Sequence, residues 1–252
     1  MSDLENVTRL PDDFDGHVRL FPLPSLVLFP HAMQPLHIFE PRYCDLLAES
    51  LKTDSLIAMA TLAGMEATAS GTPAIAQTVC IGRIISHVER EDERHNILLV
   101  GIKRAQLVAE VDAGRSFRIG KVEILEDLYS PSGNARRSDL RADLLGSFGR
   151  IVPSTESVKQ GLSELLSGGI ELGPITDIIA HALPLSATMK LRLLSESDVD
   201  GRARALIKVM DSGQVKLSGQ DSQPTLSGTD VEQDGDAGGA TELPFPPPFS
   251  LN

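Results

Sequence analysis

Few reactive side chains in this sequence stand at spacings that chemistry could use. The nearest approach to a phosphate-binding loop is Gly114-Arg-Ser-Phe-Arg-Ile-Gly120-Lys121-Val122. A nucleotide there would need four residues between the glycines, to turn backbone amides toward the phosphates, and a hydroxyl after the lysine to hold magnesium. Five residues intervene, Val122 stands in place of the hydroxyl, and Phe117 and Ile119 suit a strand better than a loop. Six histidines raise the question of metal binding, yet only His31 and His37 lie close together, and no ligand set is completed beside them. His181 follows Asp177 by one helical turn, which favours a charge-paired helix surface over catalysis. GxGxxG, GxSxG and HExxH are absent. With no convergent reactive set, the chain reads as a non-enzyme with no cofactor and no metal.

Charge and cysteine content narrow the classes further. The net charge of -12 is concentrated at the ends: residues 1–16 carry -4 and residues 211–252 carry -6, which leaves only -2 for residues 17–210. Arg83, Arg104 and Lys121 could line a basic strip, but residues 80–122 hold eight basic against six acidic side chains. That excess is too small to attract a polyanion, and with no Trp and 4% aromatic residues, platforms for stacking bases are scarce. Cys44 and Cys80 form no CxxC, so a disulfide scaffold or structural zinc site is not expected. No apolar run approaches membrane-spanning length, and the first sixteen residues do not form a basic-then-apolar leader. A cytoplasmic protein, with no membrane and no nucleic acid among its partners, is the expectation.

From Val18 to about Leu128, short apolar runs separated by prolines and polar breaks have strand lengths: 18–21, 26–29, 35–39, 56–62, 79–85, 97–100 and 117–119. The polar segment 89–94 between two of them predicts a long antiparallel hairpin. Around Gly120 the apolar set changes sides, which predicts a bulge there. One helix interrupts the strands. Pro41 suits its first turn, and Tyr43, Leu46, Leu47, Ser50 and Leu51 form its stripe. Beyond Ser130-Pro-Ser-Gly-Asn134 the period becomes 3.6. Ser138 is the expected N-cap of a helix carrying Leu144 and Leu145. A second helix runs Val158–Leu166, a third carries Ile175 and Ile179, a fourth starts at Ser186, and a fifth starts after Asp198 or Asp200. Beyond Gly213 the composition is Ser-, Gly-, Asp-, Gln- and Pro-rich, with one apolar cluster at Leu243-Pro-Phe-Pro-Pro-Pro-Phe-Ser-Leu251. Such a stretch reads as a disordered tail.

The segments Leu20-Phe-Pro-Leu-Pro24, Val27-Leu-Phe-Pro30 and Pro35-Leu-His-Ile-Phe-Glu-Pro-Arg-Tyr43 closely resemble the opening of the Lon protease amino-terminal domain, also found in cereblon. Ile81–Ile84, Asn96–Arg104, Ile178–Leu183 and Met189–Leu194 extend the resemblance over roughly residues 17–210. It implies an α+β fold with a β-rich PUA-like pseudo-barrel subdomain (17–130), an α-helical bundle subdomain (131–211) and the acidic tail (212–252). In Lon proteases this domain helps capture protein substrates ahead of an ATPase and a serine-lysine peptidase. No residues for either are seen here, so a stand-alone, non-catalytic member is expected.

The resemblance therefore implies a polypeptide-binding module, an adaptor or protein quality-control accessory. Its expected partners are an unfolded or substrate polypeptide and a separate protease. The alternative is an RNA-associated PUA-like module. The candidate substrate-binding residues are Met65, Phe29 and Met33. Met65 lies in the flexible-composition stretch Ala63–Pro73, and its thioether adapts to varied partners.

Overall fold

Alternating apolar residues pair into strands where proline permits, and in the computed structural model, which describes residues 9–67, 72–90, 92, 94–152 and 169–213, they build one closed sheet. The strands are β1 (His17–Leu23), β2 (Met33–Ile38), β3 (Leu56–Ala67), β4 (Pro73–Ile75), β5 (Thr78–Glu89), β6 (His95–Val111) and β7 (Arg118–Leu125). Along the path β1-β7-β6-β5-β3 the neighbours are antiparallel. β1 also pairs in parallel with β3, from Leu20↔Ala58 to Leu23↔Thr61, and this closes five strands into a barrel. β2 adds to the first half of β6 and β4 to the end of β3, both outside the ring. One apolar cluster, including Leu20, Leu56, Ala58, Val79 and Ile81, fills one face of the ring.

The helices cover the other face. α1 (Pro41–Lys52) begins with Pro41 at its first turn and buries Tyr43, Leu46, Leu47 and Ser50 of the expected stripe, while its fifth member, Leu51, is exposed. After β7 come α2 (Arg137–Ile151), α3 (Leu172–Ala182), α4 (Ala187–Ser195) and α5 (Val199–Asp211). The Ser186 side chain accepts from the Met189 amide, as expected of an N-cap, and of the two positions left open for α5 it is Asp198 that caps, accepting from the Asp200 amide. A second apolar cluster runs without a break from Phe29, Ile97 and Leu99 through Leu144 and Ile175 to Leu206. The fold is α+β, as expected. No helix among the described residues is long and apolar enough to cross a membrane.

Four local expectations differ from the structure. Leu26–Phe29 has no ladder partner and is not a strand, although Val27, Leu28 and Phe29 are buried; Pro24 and Pro30 bracket it. Ser138 lies inside α2, whose N-cap is Arg136. The bulge sits on β6, between Leu107 and Ala109, and not at Gly120. Gly120 keeps its register because it lacks a side chain: a Cβ there would lie 2.7 Å from Leu107 Cδ1 and 3.0 Å from Leu20 Cδ1. Asp177, expected to pair with His181 on the helix surface, is buried and points elsewhere. The expected Val158–Leu166 helix and the tail beyond Gly213 fall outside the described residues.

Candidate functional site

A tight turn from Phe29 to Ala32 sets up the most distinctive surface. The His31 amide donates to the Gly101 carbonyl at 2.8 Å and the Gly101 amide to the Ala32 carbonyl at 2.9 Å, which staples the turn to the middle of β6. His31 takes a φ of 64°, a left-handed conformation tolerated because both neighbours are fixed. The turn delivers Met33 opposite Val100, and β2 then runs antiparallel to β6 through Pro35↔Leu98 and His37↔Asn96.

Period-2 alternation assigns the two faces of this three-strand segment. Leu36, Ile38, Ile84, Ile97 and Leu99 face the helix-covered core. Met33, Pro35 and His37 share the other face with Val100, Leu98 and Asn96 of β6 and with Ser86 and Val88 of β5. The His37 Nδ1 to Asn96 Oδ1 distance of 2.7 Å agrees with that assignment. On this outer face the central strand is buried, with Leu98 at 4% and Val100 at 8% exposed, and the open positions are on β2 and at the end of β5. Met33 is 48% exposed, Val88 42%, and Phe39, whose ring centroid lies 5.8 Å from that of His37, is 62% exposed. The β5 bulge leaves Ile85 41% exposed. Among the described residues no strand pairs with the far edge of β2; at its centre Pro35 has no amide to donate and its carbonyl accepts from the Gln34 side chain at 2.9 Å, which leaves the backbone groups of Met33 and His37 for an incoming strand.

The three candidate binding residues are not brought together. Met33 lies on this face. Phe29 is 0% exposed, packed in the core with its ring centroid 6.5 Å from that of His181; it supports the turn and in this conformation touches nothing outside. Met65 lies in the second half of β3, on the β3–β4 arm, and its side chain is outside the described set. That arm roofs a cleft of about 320 Å³ lined by Leu23, Tyr43, Leu62, Pro73 and Phe117. The cleft has room for one or two side chains, whereas the β2 face runs the length of a six-residue strand. Phe39, Ile85 and Val88 were missed by the sequence reading. Their signal was apolar residues at positions where alternation demands a solvent face.

Behind the turn, charges close the seam between barrel and helices. Arg104 of β6 donates to Asp127 and to Asp177. Arg202 of α5 donates to Asp127 Oδ2 at 3.0 Å, to Thr176 Oγ1 at 2.7 Å and to the Glu196 carbonyl at 2.8 Å. Burial pushes the Asp177 carboxyl up to about 6, outweighing both guanidiniums. Burial likewise holds the His31 and His181 imidazoles toward their neutral forms. This arrangement removes Arg104 from any basic strip, and Arg83 is turned to the Asp54 and Arg9 carbonyls. The network binds elements to one another, and Arg104, Asp127 and Asp177 line a cavity of about 360 Å³ together with His31, Lys103 and Tyr129. Among the described residues no group of three or more His, Cys, Asp or Glu is placed to hold a metal ion. The glycine-bounded segment 114–120 runs into β7 rather than forming a loop around a phosphate.

Comparison with known proteins places this geometry. Residues 17–212 match the ATP-dependent protease La (LON) substrate-binding domain family. Lon protease of Escherichia coli (strain K12) is 24% identical over 199 residues, 77% of this chain and 24% of that protein. Lon protease of Heliobacterium modesticaldum is 23% identical over 192 residues, 76% of this chain and 23% of that protein. The chain thus spans about a quarter of the length of the curated relatives it matches. Two solved structures share the fold. A Lon N-terminal domain protein from Xanthomonas campestris has TM-score 0.54 and 24% identity, covering 76% of this chain and 97% of that one. The N-terminal domain of Mycobacterium avium complex Lon protease has TM-score 0.60 and 15% identity, covering 77% and 98%.

Proposed function

We propose, because this chain belongs to the LON substrate-binding domain family, that it captures exposed apolar segments of unfolded polypeptides on the outer face and open edge of β2. In this reading the β-rich subdomain of residues 17–130 presents the surface and the helices of 131–211 brace it from behind. The module is non-catalytic. It serves as an adaptor or quality-control accessory that passes its cargo to a separate protease in the cytoplasm. The observation that carries the reading is the exposure of Met33 and Phe39 along β2, whose far edge pairs with no strand among the described residues, with Ile85 and Val88 exposed on β5 across β6. An extended peptide gains backbone hydrogen bonds from such an edge and side-chain burial from the adjoining face. Binding of this kind favours unfolded chains, because a native fold keeps its extended apolar segments occupied.

The test offers one probe protein in two forms, native and reduced-and-alkylated, and follows binding by fluorescence anisotropy. Selective binding of the unfolded form is the expected result. Full burial of a Met or Phe is worth about 1.5–3 kcal/mol. The double substitution Met33→Asp, Phe39→Asp is therefore expected to weaken binding at least tenfold while leaving the melting temperature within a few degrees, since both side chains face solvent. Equal affinity for the two forms, or an unchanged affinity in the double variant, would reject the reading.

A further inference from the structure

We infer that His87 and His95, which face each other across the β5–β6 hairpin, form a binding site for one divalent transition-metal ion, with Zn²⁺ the best fit. The two residues are eight positions apart in the chain and become neighbours only because the hairpin folds back on itself. The distance from His87 Nε2 to His95 Nδ1 is 3.0 Å, and the ring centroids are 5.1 Å apart. Two imidazole nitrogens bound to one zinc ion at its usual bond length lie roughly 2.8–3.4 Å from each other. The pair thus already stands at the separation that the ion requires, and a modest turn of the two rings aims both lone pairs at one point. Without a metal, one of these nitrogens donates its proton to the other.

The hairpin holds the pair in place. Beyond the β5 bulge, β5 and β6 keep one register from Ser86↔Leu98 through His87↔Ile97 to Glu89↔His95, and the Arg90 amide donates to the Arg94 carbonyl at 2.7 Å to close the end. Residues opposite each other on paired strands share a face, so His87, Glu89 and His95 lie on the same side of the sheet as Ile97 and Ile38. His87 and Glu89 are exposed where Ile97 and Ile38 are buried, so the pair sits where the helix-covered face opens to solvent. His37 of β2 faces the other side, against Asn96, and takes no part. The site is separate from the outer face of β2 and stands apart from the polypeptide-binding reading.

The chemistry of the donors selects the ion. Metals bind neutral imidazole, and partial burial together with the neighbouring His95 ring lowers the affinity of His87 for a proton, which keeps its lone pair free at neutral pH. Glu89, level with His95, supplies negative charge that favours a dication and partly offsets this effect on His87. Zn²⁺ and Cu²⁺ take imidazole ligands, whereas Mg²⁺ and Ca²⁺ take oxygen and gain nothing from this pair. A closed structural zinc shell uses four protein ligands. Two are placed here, so water completes the coordination and the ion exchanges freely. On binding, the ring that carried the shared proton moves it to its outer nitrogen, and both rings stay neutral.

The experiment titrates the full chain with zinc chloride by calorimetry and follows the histidine ring nitrogens by NMR. The expected result is one tightest equivalent, with shifts at His87 Nε2 and His95 Nδ1 that magnesium chloride does not produce. His87→Asn and His95→Asn are each expected to weaken that equivalent about tenfold or more, because each removes one of the two donors. Both side chains reach the surface, so the melting temperature of either variant without metal should stay within a few degrees of the parent, which separates loss of the site from loss of the fold. Three results would each overturn the inference. One is the absence of saturable zinc uptake. Another is uptake unchanged in both variants, which would place the ion on another histidine or on Cys44. The third is a loss confined to one variant, which would mean that a single imidazole binds without its neighbour.

Discussion

Arg202→Met is expected to lower the unfolding free energy by about 3–5 kcal/mol at pH 7.5, which for a domain of about 200 residues is roughly 10–15 °C in Tm. The reason is the loss of a partner rather than the loss of an attraction. The Arg202 side chain is 0% exposed and donates to Asp127, Thr176 and the Glu196 carbonyl, with Asp177 Oδ1 at 3.5 Å from its Nε. Methionine fills much of the volume but leaves two carboxylates to share Arg104 alone. The size of the penalty should depend on pH, with a definite sign. Asp177 already titrates at about 6, above its ordinary value of 3.8, so the stability linked to it is greatest below that ordinary value and is lost as pH rises through 6. Removing a cation raises its folded-state value further. The variant's deficit is therefore expected to be largest above pH 7 and to shrink toward pH 5, where a proton takes over the neutralisation. Adding Asp177→Asn to Arg202→Met should recover part of the loss at neutral pH, a coupling readable in a double-mutant cycle by chemical denaturation. A deficit independent of pH, with no recovery in the double variant, would mean that packing rather than charge holds this seam.

How much of this was legible in the sequence follows from how local each cause is. Four of the five residues of the α1 stripe, Pro41 at its first turn, the β5–β6 hairpin and the cap at Ser186 each depend on residues within a few positions of one another and were readable, and the last helix start was narrowed to Asp198 or Asp200. Ser138 failed as a cap because the turn at Pro131–Arg136 leads directly into α2 and carries the helix start past it. The bulge was assigned to the wrong strand, since a change of apolar phase in β7 is equally produced by the strand leaving the helix-covered region, where Lys121 and Glu123 become exposed. The charge network was invisible for a different reason. Arg104, Asp127, Asp177 and Arg202 span 99 positions, and each alone resembles a surface residue. The hint was Asp177 within a helix whose neighbours Ile175, Thr176, Ile179 and Ala180 are all buried; an acid there requires a buried cation. At the candidate site, Met33 was legible and Phe29 was not, because an apolar residue beside a proline reads the same whether it faces in or out.

Gly101→Ala is the second substitution with a large expected effect, and it joins stability to binding. A Cβ at this position would fall inside contact distance of the Phe29 carbonyl oxygen and 3.1 Å from Cys80 Sγ. The obstructing group is backbone, held by the two hydrogen bonds between Gly101 and residues 31 and 32, so it cannot rotate away. The turn must move as a unit or the β6 ladder must open, and a loss of about 3 kcal/mol follows. Gly120→Ala is the control. Its Cβ meets the ends of the Leu107 and Leu20 side chains, which have rotamers available, and about 1 kcal/mol is expected. The two variants should also separate in function. Displacing the Phe29–Ala32 turn shifts Met33 away from its place opposite Val100 and disturbs the row that faces the open edge. At a temperature where both variants are folded, Gly101→Ala should bind an unfolded probe several-fold more weakly than the parent, and Gly120→Ala, on the barrel strand β7, should bind it unchanged. Faster hydrogen exchange in residues 33–39 of Gly101→Ala would connect the two effects. If instead both variants lost affinity in proportion to their loss of stability, the turn would be serving the fold alone, and the apolar face of β2 would owe its exposure to something other than binding.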